Sequence, residues 1–239
     1  MNIDPPQRLQ IVTRGMANTR IFFTSDVHGS KVCFKKFLNA AKFYKANVLI
    51  LGGDITGKMI VPIVEQPDGC ATADFLGTQQ IVKTNEERQA LEKNIRNSGY
   101  YPFLTTPIEF EKLQADKKLV DELFSRVMAA GVKGWVGIAE ERLKDMNVKC
   151  YISPGNDDRF DVDPMLKTSS TVVCPEEEVV WIDDYHEMVT SGWASTTPGT
   201  VQGKYQKQSS SRSSNQCFRR FRTWKQAFST CTVPHTRLQ

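Results

Sequence analysis

Asp26 and His28 stand two residues apart where an apolar run, Ile21 to Phe23, gives way to polar residues and Gly29. In an extended segment, residues i and i+2 project to the same side. A carboxylate oxygen and an imidazole nitrogen are therefore offered together, a pair suited to a divalent transition metal. Two further stretches repeat the pattern. Val48 to Leu51 stops in Gly52-Gly53-Asp54, and Val148 to Ile152 leads through Ser153-Pro154 into Gly155-Asn156-Asp157-Asp158. A single Asp after a strand is more often a turn former or helix cap, and Asp-x-His alone carries little information. The ordered set of three is far more specific.

The elements that must position these residues follow from the same runs. Three buried strands would end together at the carboxyl edge of a sheet, the edge at which open α/β sheets keep their chemistry. Ser30 opens a helix through Asn39 to Tyr44, with Val32, Phe34, Phe37, Leu38 and Ala41 on its apolar side. With Val48 to Leu51 as the second strand, this is a β-α-β unit, which implies parallel strands and a right-handed crossover.

Asp-x-His, then Gly-Asp, then Gly-Asn, in this order and spacing, resembles the calcineurin-like metallophosphoesterases. Asp-Val-His-Gly with Gly-Asn-Asp-Asp resembles their archaeal and bacterial branch. The resemblance covers residues 19–198. It implies an α/β fold, a β-sandwich flanked by helices (αββα) that here is incomplete at its C-terminus and carries a helical insertion. It also implies a dinuclear centre that hydrolyses phosphate mono- or diesters by in-line attack of hydroxide. Carried over, Asp26 and His28 bind one metal, Asp54 bridges two, and the Asn156 amide binds the second. Many members place a His after Gly-Asn that acts on the leaving group; Asp157 holds that position here and is the candidate catalytic residue. The family's later lone His and its Gly-His-x-His are absent. The first position thus has Asp26, His28 and Asp54, the second only Asp54 and Asn156. Two readings follow: an impaired metal-dependent phosphoesterase, or a non-catalytic remnant or binding module that keeps the fold. The cofactors implied are divalent ions, with manganese, iron, zinc and nickel all compatible with mixed oxygen and nitrogen ligands.

With 239 residues the chain is long enough for one α/β domain with an insertion. No run of 18 apolar residues marks a membrane span, and the first 18 residues lack the apolar stretch of a signal peptide. Cysteines 33, 70, 150, 174, 217 and 231 show no C-x-x-C spacing and read as reduced thiols. A cytoplasmic location is expected.

Residues 1–18 read as a loose lead-in. Between 58 and 145 the pattern is mostly helical: Thr84 and Glu87 form a capping box before a helix to about Asn97, Ser98 to Pro102 ends it, and Thr106-Pro107 opens a long helical stretch with a break near Gly131 to Gly134. Ile60 to Val64 reads as one further strand, interrupted by Pro62. This region is either packing over the sheet or a cap that selects substrate. Short strands are expected at 172–174, 179–183 and 188–193. His186, among Asp183, Asp184 and Glu187, reads as an exposed structural histidine rather than a ligand.

The net charge of +4 hides a division. After Glu187 no acidic residue occurs, while eight Lys and Arg contribute +8, leaving −4 before that point. Residues 199–239 form a basic, serine-rich tail expected to lack stable packing. Its Phe218 to Trp224 segment mixes bases and aromatics as single-strand nucleic-acid binders do. Acidic residues vanish after Glu187, and serine and arginine rise and both His motifs go missing beyond Pro198; a reading-frame shift after Pro198 produces all of these together. One back-translation of Ala227 to Thr236, read one frame on, gives Ile-Leu-Asn-Leu-His, an apolar strand ending in a ligand. On this reading, His235 is not a ligand.

Overall fold

The computed structural model describes residues 18–192 and the backbone of 227–231. In chain order the elements begin β1 (Ile21–Thr24), α1 (Lys31–Phe43), β2 (Val48–Gly52), β3 (Ile60–Glu65), β4 (Ala71–Phe75) and β5 (Thr78–Val82). There follow α2 (Asn85–Asn97), β6 (Tyr101–Thr105), α3 (Pro107–Ala115), α4 (Lys117–Leu143) and β7 (Lys149–Ser153). The last are α5 (Asp163–Leu166), β8 (Val172–Val173), β9 (Val179–Trp181), β10 (Glu187–Ser191) and β11 (Ala227–Cys231). The fold is mixed α/β.

The first sheet has the order β1-β2-β7-β8, all parallel. Its central strand β2 is buried along its whole length, as a strand covered on both faces must be. Alternation divides its side chains. Leu49 and Leu51 join Cys150 and Ile152 against α1 and α4, where Phe34, Phe37, Met128, Val132 and Val136 complete the main core. Val48 and Ile50 join Tyr151 on the opposite face, against Met188 of a second sheet of order β11-β10-β9 and Ile182 just beyond β9. The two sheets are fastened at their margin: Tyr151 Oη donates to the Trp181 carbonyl at 2.8 Å, and Lys149 Nζ donates to those of Trp181 and Ile182.

The segment 58–145, expected to be mostly helical, contains a third sheet of order β5-β4-β3-β6 besides α2, α3 and α4. The β4–β5 hairpin turns at Leu76 and Gly77, both at positive φ, and Leu at the first turn position hides a hairpin that Asn-Gly would have announced. Tyr101 to Pro102, read as a helix terminator, begins β6; as the edge strand, β6 tolerates Pro. Pro62 sits in β3 beyond the reach of β4, which pairs only with Val64 and Glu65. One face of this sheet, Val61, Ile63, Ala71, Ala73 and Val82, buries Leu91 and Ile95 of α2. The capping box at Thr84 and Glu87 is present.

The expected break near Gly131 is absent, and the helix boundary falls at Asp116, which caps α4 through Lys118 N. Glycine costs a helix about 1 kcal/mol, less than the burial of Met128, Val132, Val136, Ala139 and Leu143 returns. Gly131 also has a use, since a Cβ there would lie 3.1 Å from the Tyr101 ring.

The tail needs a further correction. Ala227–Cys231 pairs in parallel with β10, in register from Glu187 with Ala227 to Ser191 with Cys231. The exposed edge of β10 offers a row of unpaired backbone groups, and a short segment with Phe and Thr suits it. The lead-in to residue 17, the Phe218 to Trp224 segment and His235 lie outside the described residues.

Candidate metal centre

β1, β2 and β7 end side by side, and the three loops that follow them are sewn together by backbone hydrogen bonds. Asp26 N donates to Gly53 O at 3.0 Å, His28 N to Asp54 O at 2.9 Å and Gly29 N to Ile55 O at 2.8 Å. Asp157 N donates to the Asp54 carboxylate at 3.1 Å. Asp26, His28 and Asp54 each offer a ligand atom, and these atoms all lie within 4.8 Å of one another. The three residues singled out by the sequence thus stand together as a possible metal-binding group.

All three adopt the left-handed region, with φ of 57° at Asp26, 43° at His28 and 49° at Asp54. Such conformations are costly for residues with a Cβ and persist where surrounding contacts over-determine them, commonly at functional sites. Here the cross-loop hydrogen bonds supply that determination. Gly155 matters for the same reason: a Cβ on it would fall 2.2 Å from Asp54 Oδ1 and 2.3 Å from Asp54 N.

Asp158 has a role the sequence did not suggest. Its carboxylate is buried and accepts from Ile55 N, Thr56 N, Thr56 Oγ1 and Gly155 N, at 2.5–3.0 Å. One side chain thereby locks the loop after β2 to the loop after β7. Its position one residue beyond Asp157 was visible in sequence; what it touches, about a hundred residues away, was not.

Two buried polar atoms on these loops lack partners. Asn156 Oδ1 and His28 Nδ1 are buried and accept no hydrogen bond among the described residues, and orphaned buried acceptors are uncommon unless an ion or water completes them. The carboxyl of Asp54 is pushed up to about 7, chiefly by burial and further by Asp158, Asp157 and Asp26, against the opposing hydrogen bond from Asp157 N. His28 is lowered by burial and by Lys58. A crowd of carboxylates that cannot all ionise comfortably, beside a neutral imidazole, is what a divalent cation would relieve. Two carboxylates and an imidazole within 4.8 Å of one another fit the metals expected from the residues.

Asp157 is exposed and pairs with Lys58, Nζ to Oδ2 at 2.5 Å. Lys58 was not singled out in the sequence, since a lone Lys after a strand carries no signal. His186 is not part of the group. It is exposed, with Nδ1 2.8 Å from Asp183 Oδ1, as expected for a structural histidine. Cys33, Cys70, Cys150 and Cys174 are free thiols. Among the described residues no helix is long and apolar enough to cross a membrane.

No protein-family model, curated protein or solved structure matches this chain.

Proposed function

We propose that the chain binds a divalent cation at Asp26, His28 and Asp54 and acts on phosphate esters there, as a metal-dependent phosphoesterase of the calcineurin-like kind with reduced activity. The observation that carries the reading is the convergence of Asp26, His28 and Asp54 at the carboxyl ends of adjacent parallel strands, with Asn156, whose buried amide oxygen has no partner, in the loop after the third strand. A bound ion would supply Lewis acidity, acidifying a water and polarising phosphate oxygens. The remaining work falls to the protein's own groups. Asp54 and Asn156 border the place a phosphate would occupy, and Lys58 brings a cation to its rim for the ester's charge. Asp157, paired with that Lys, would exchange a proton with a leaving oxygen once Lys58 turns to the phosphate.

The second reading, a binding module without turnover, is favoured by the ligand count. Among the described residues, Asp26, His28 and Asp54 are the one cluster of His, Cys, Asp and Glu that can hold an ion. A second ion would have only Asp54 and Asn156. Titration of the metal-free chain with manganese, followed by assay of p-nitrophenyl phosphate and its diester, tests both. Manganese uptake with slow, His28-dependent hydrolysis supports the enzyme. Uptake without hydrolysis supports the binding module, and no uptake rejects both.

A further inference from the structure

The third sheet has a face that α2 does not cover. Val61 and Ile63 turn toward α2, so alternation sends Ile60 and Pro62 to the other side, where Phe103 of β6 is the register partner of Pro62. Over this face lie α3 and α4, and they do not close on it. A cavity of about 450 Å³ remains, floored by Ile60, Pro62 and Phe103 and roofed by Phe110, Leu113 and Phe124. That volume lies in the range of about 300–1,000 Å³ usual for small-molecule sites.

Two features connect the cavity to the candidate centre. Lys58 is in its wall, and the same Lys58 Nζ lies 2.5 Å from Asp157, the neighbour of Asn156. Lys58 is thus shared between the wall of the cavity and the residue next to Asn156. The charges of its lining are two lysines and one acid: Asp121 is held by both terminal nitrogens of Arg159, at 2.5 and 3.0 Å, Lys58 is paired with Asp157, and Lys117 is the other cation of the wall.

We infer that this cavity is the leaving-group pocket of the phosphoesterase site proposed above, and that it selects phosphate esters of bulky apolar alcohols, aryl in type. The chemistry of the lining carries the assignment. A dianionic phosphate at the lysine end and the metal edge would be matched in charge, while an aromatic ring would meet Phe103, Phe110 and Phe124 at offset or edge-on geometry. A sugar or nucleoside fits poorly. Gln114 is the one neutral polar side chain of the lining, so most ring hydroxyls or base-edge groups would be buried without partners, at a cost for each. Access is provided by α3, which has no fully buried residue and has a second cavity of about 410 Å³ on its α4 side, sharing Phe103, Leu113 and Leu123. A helix so thinly held can shift to admit a ring.

This inference rests on the phosphoesterase reading, and one titration separates their failures. The full chain is titrated with 1-naphthyl phosphate, 1-naphthol and inorganic phosphate, metal-free and with manganese, following naphthyl fluorescence and, for inorganic phosphate, heat. Naphthol is expected to bind without metal, and naphthyl phosphate to bind more tightly once manganese is present. Leu113→Glu, on the helix without buried residues, and Phe103→Ala should each weaken both naphthyl ligands about tenfold and leave inorganic phosphate unchanged. Asp54→Ala should remove only the manganese-dependent gain. If manganese strengthens inorganic phosphate but neither pocket substitution alters naphthyl binding in a chain that circular dichroism shows folded, the pocket assignment alone is overturned. If naphthol binding depends on Leu113 and manganese adds nothing for either phosphate, the metal reading fails and the leaving-group assignment falls with it.

Discussion

Asp54 Oδ1 accepts the Asp157 amide at 3.1 Å while its carboxylate lies with Asp26 and His28 in a group spanning 4.8 Å. It is the one candidate ligand that both metal positions would share. Asp54→Ala is expected to abolish manganese binding, and the parent chain to hold one ion weakly; elemental analysis after dialysis that finds two tightly held ions per chain would contradict the half-filled site. Asp158 acts on the same loops without being a ligand. Removing its carboxylate leaves the amides of Ile55, Thr56 and Gly155 without their acceptor, so Asp158→Ala should cost about 3 kcal/mol or more in urea unfolding and weaken metal binding as the loops separate. Retention of full stability would mean that backbone pairing alone holds the loops. The grouping of Asp26, His28 and Asp54 was legible because Asp-x-His and Gly-Asp at strand ends are local patterns. Lys58 and the role of Asp158 were not, since their meaning lies in residues about a hundred positions distant.

At the scale of elements, the turn between β8 and β9 contains a buried acid. Glu176 accepts Gly192 N at 2.7 Å, and burial pushes its carboxyl up to about 7, with Glu177 and Asp163 adding to the rise. In the unfolded chain it would ionise near 4.5. The folded state therefore binds the proton more tightly, and the stability this contributes is complete below about pH 4.5 and lost as pH rises through about 7. Glu176→Gln keeps an acceptor and removes the charge, so the parent should lose urea midpoint relative to this variant between pH 5 and 7.5. Asp54 titrates in the same window in both, which is why the difference is the measurement, and parallel curves would count against a raised Glu176. The elements themselves were unequally readable. α1 and α2 announce their starts through Ser30 and the Thr84–Glu87 box, whereas β4 and β5, Ala-Thr-Ala-Asp-Phe and Thr-Gln-Gln-Ile-Val, are too polar to stand out. They become strands because Ala71, Ala73 and Val82 find Leu91 and Ile95 to bury.

Over the whole molecule, the tail gives the sharpest test. Pairing of Ala227–Cys231 with β10 predicts slowed amide exchange across that segment, and exchange at the rate of an unstructured peptide would exclude the pairing. The reading-frame proposal has its own arbiter in the nucleotide sequence, where stop codons in the alternative frame between 199 and 235 would end it. What the sequence determined by itself was the parallel β-α-β core and the polar residues gathered at its strand ends, because an apolar run that stops in Gly and Asp states both burial and edge within a few residues. What only the tertiary structure decided was the third sheet, the cavity beneath α3 and the partnering of β10 by the tail. Each depends on which surfaces meet. Val61 and Pro62 are neighbours in the chain, yet one packs on α2 and the other lines the cavity beneath α3; burial between distant segments, which no local pattern encodes, makes the difference.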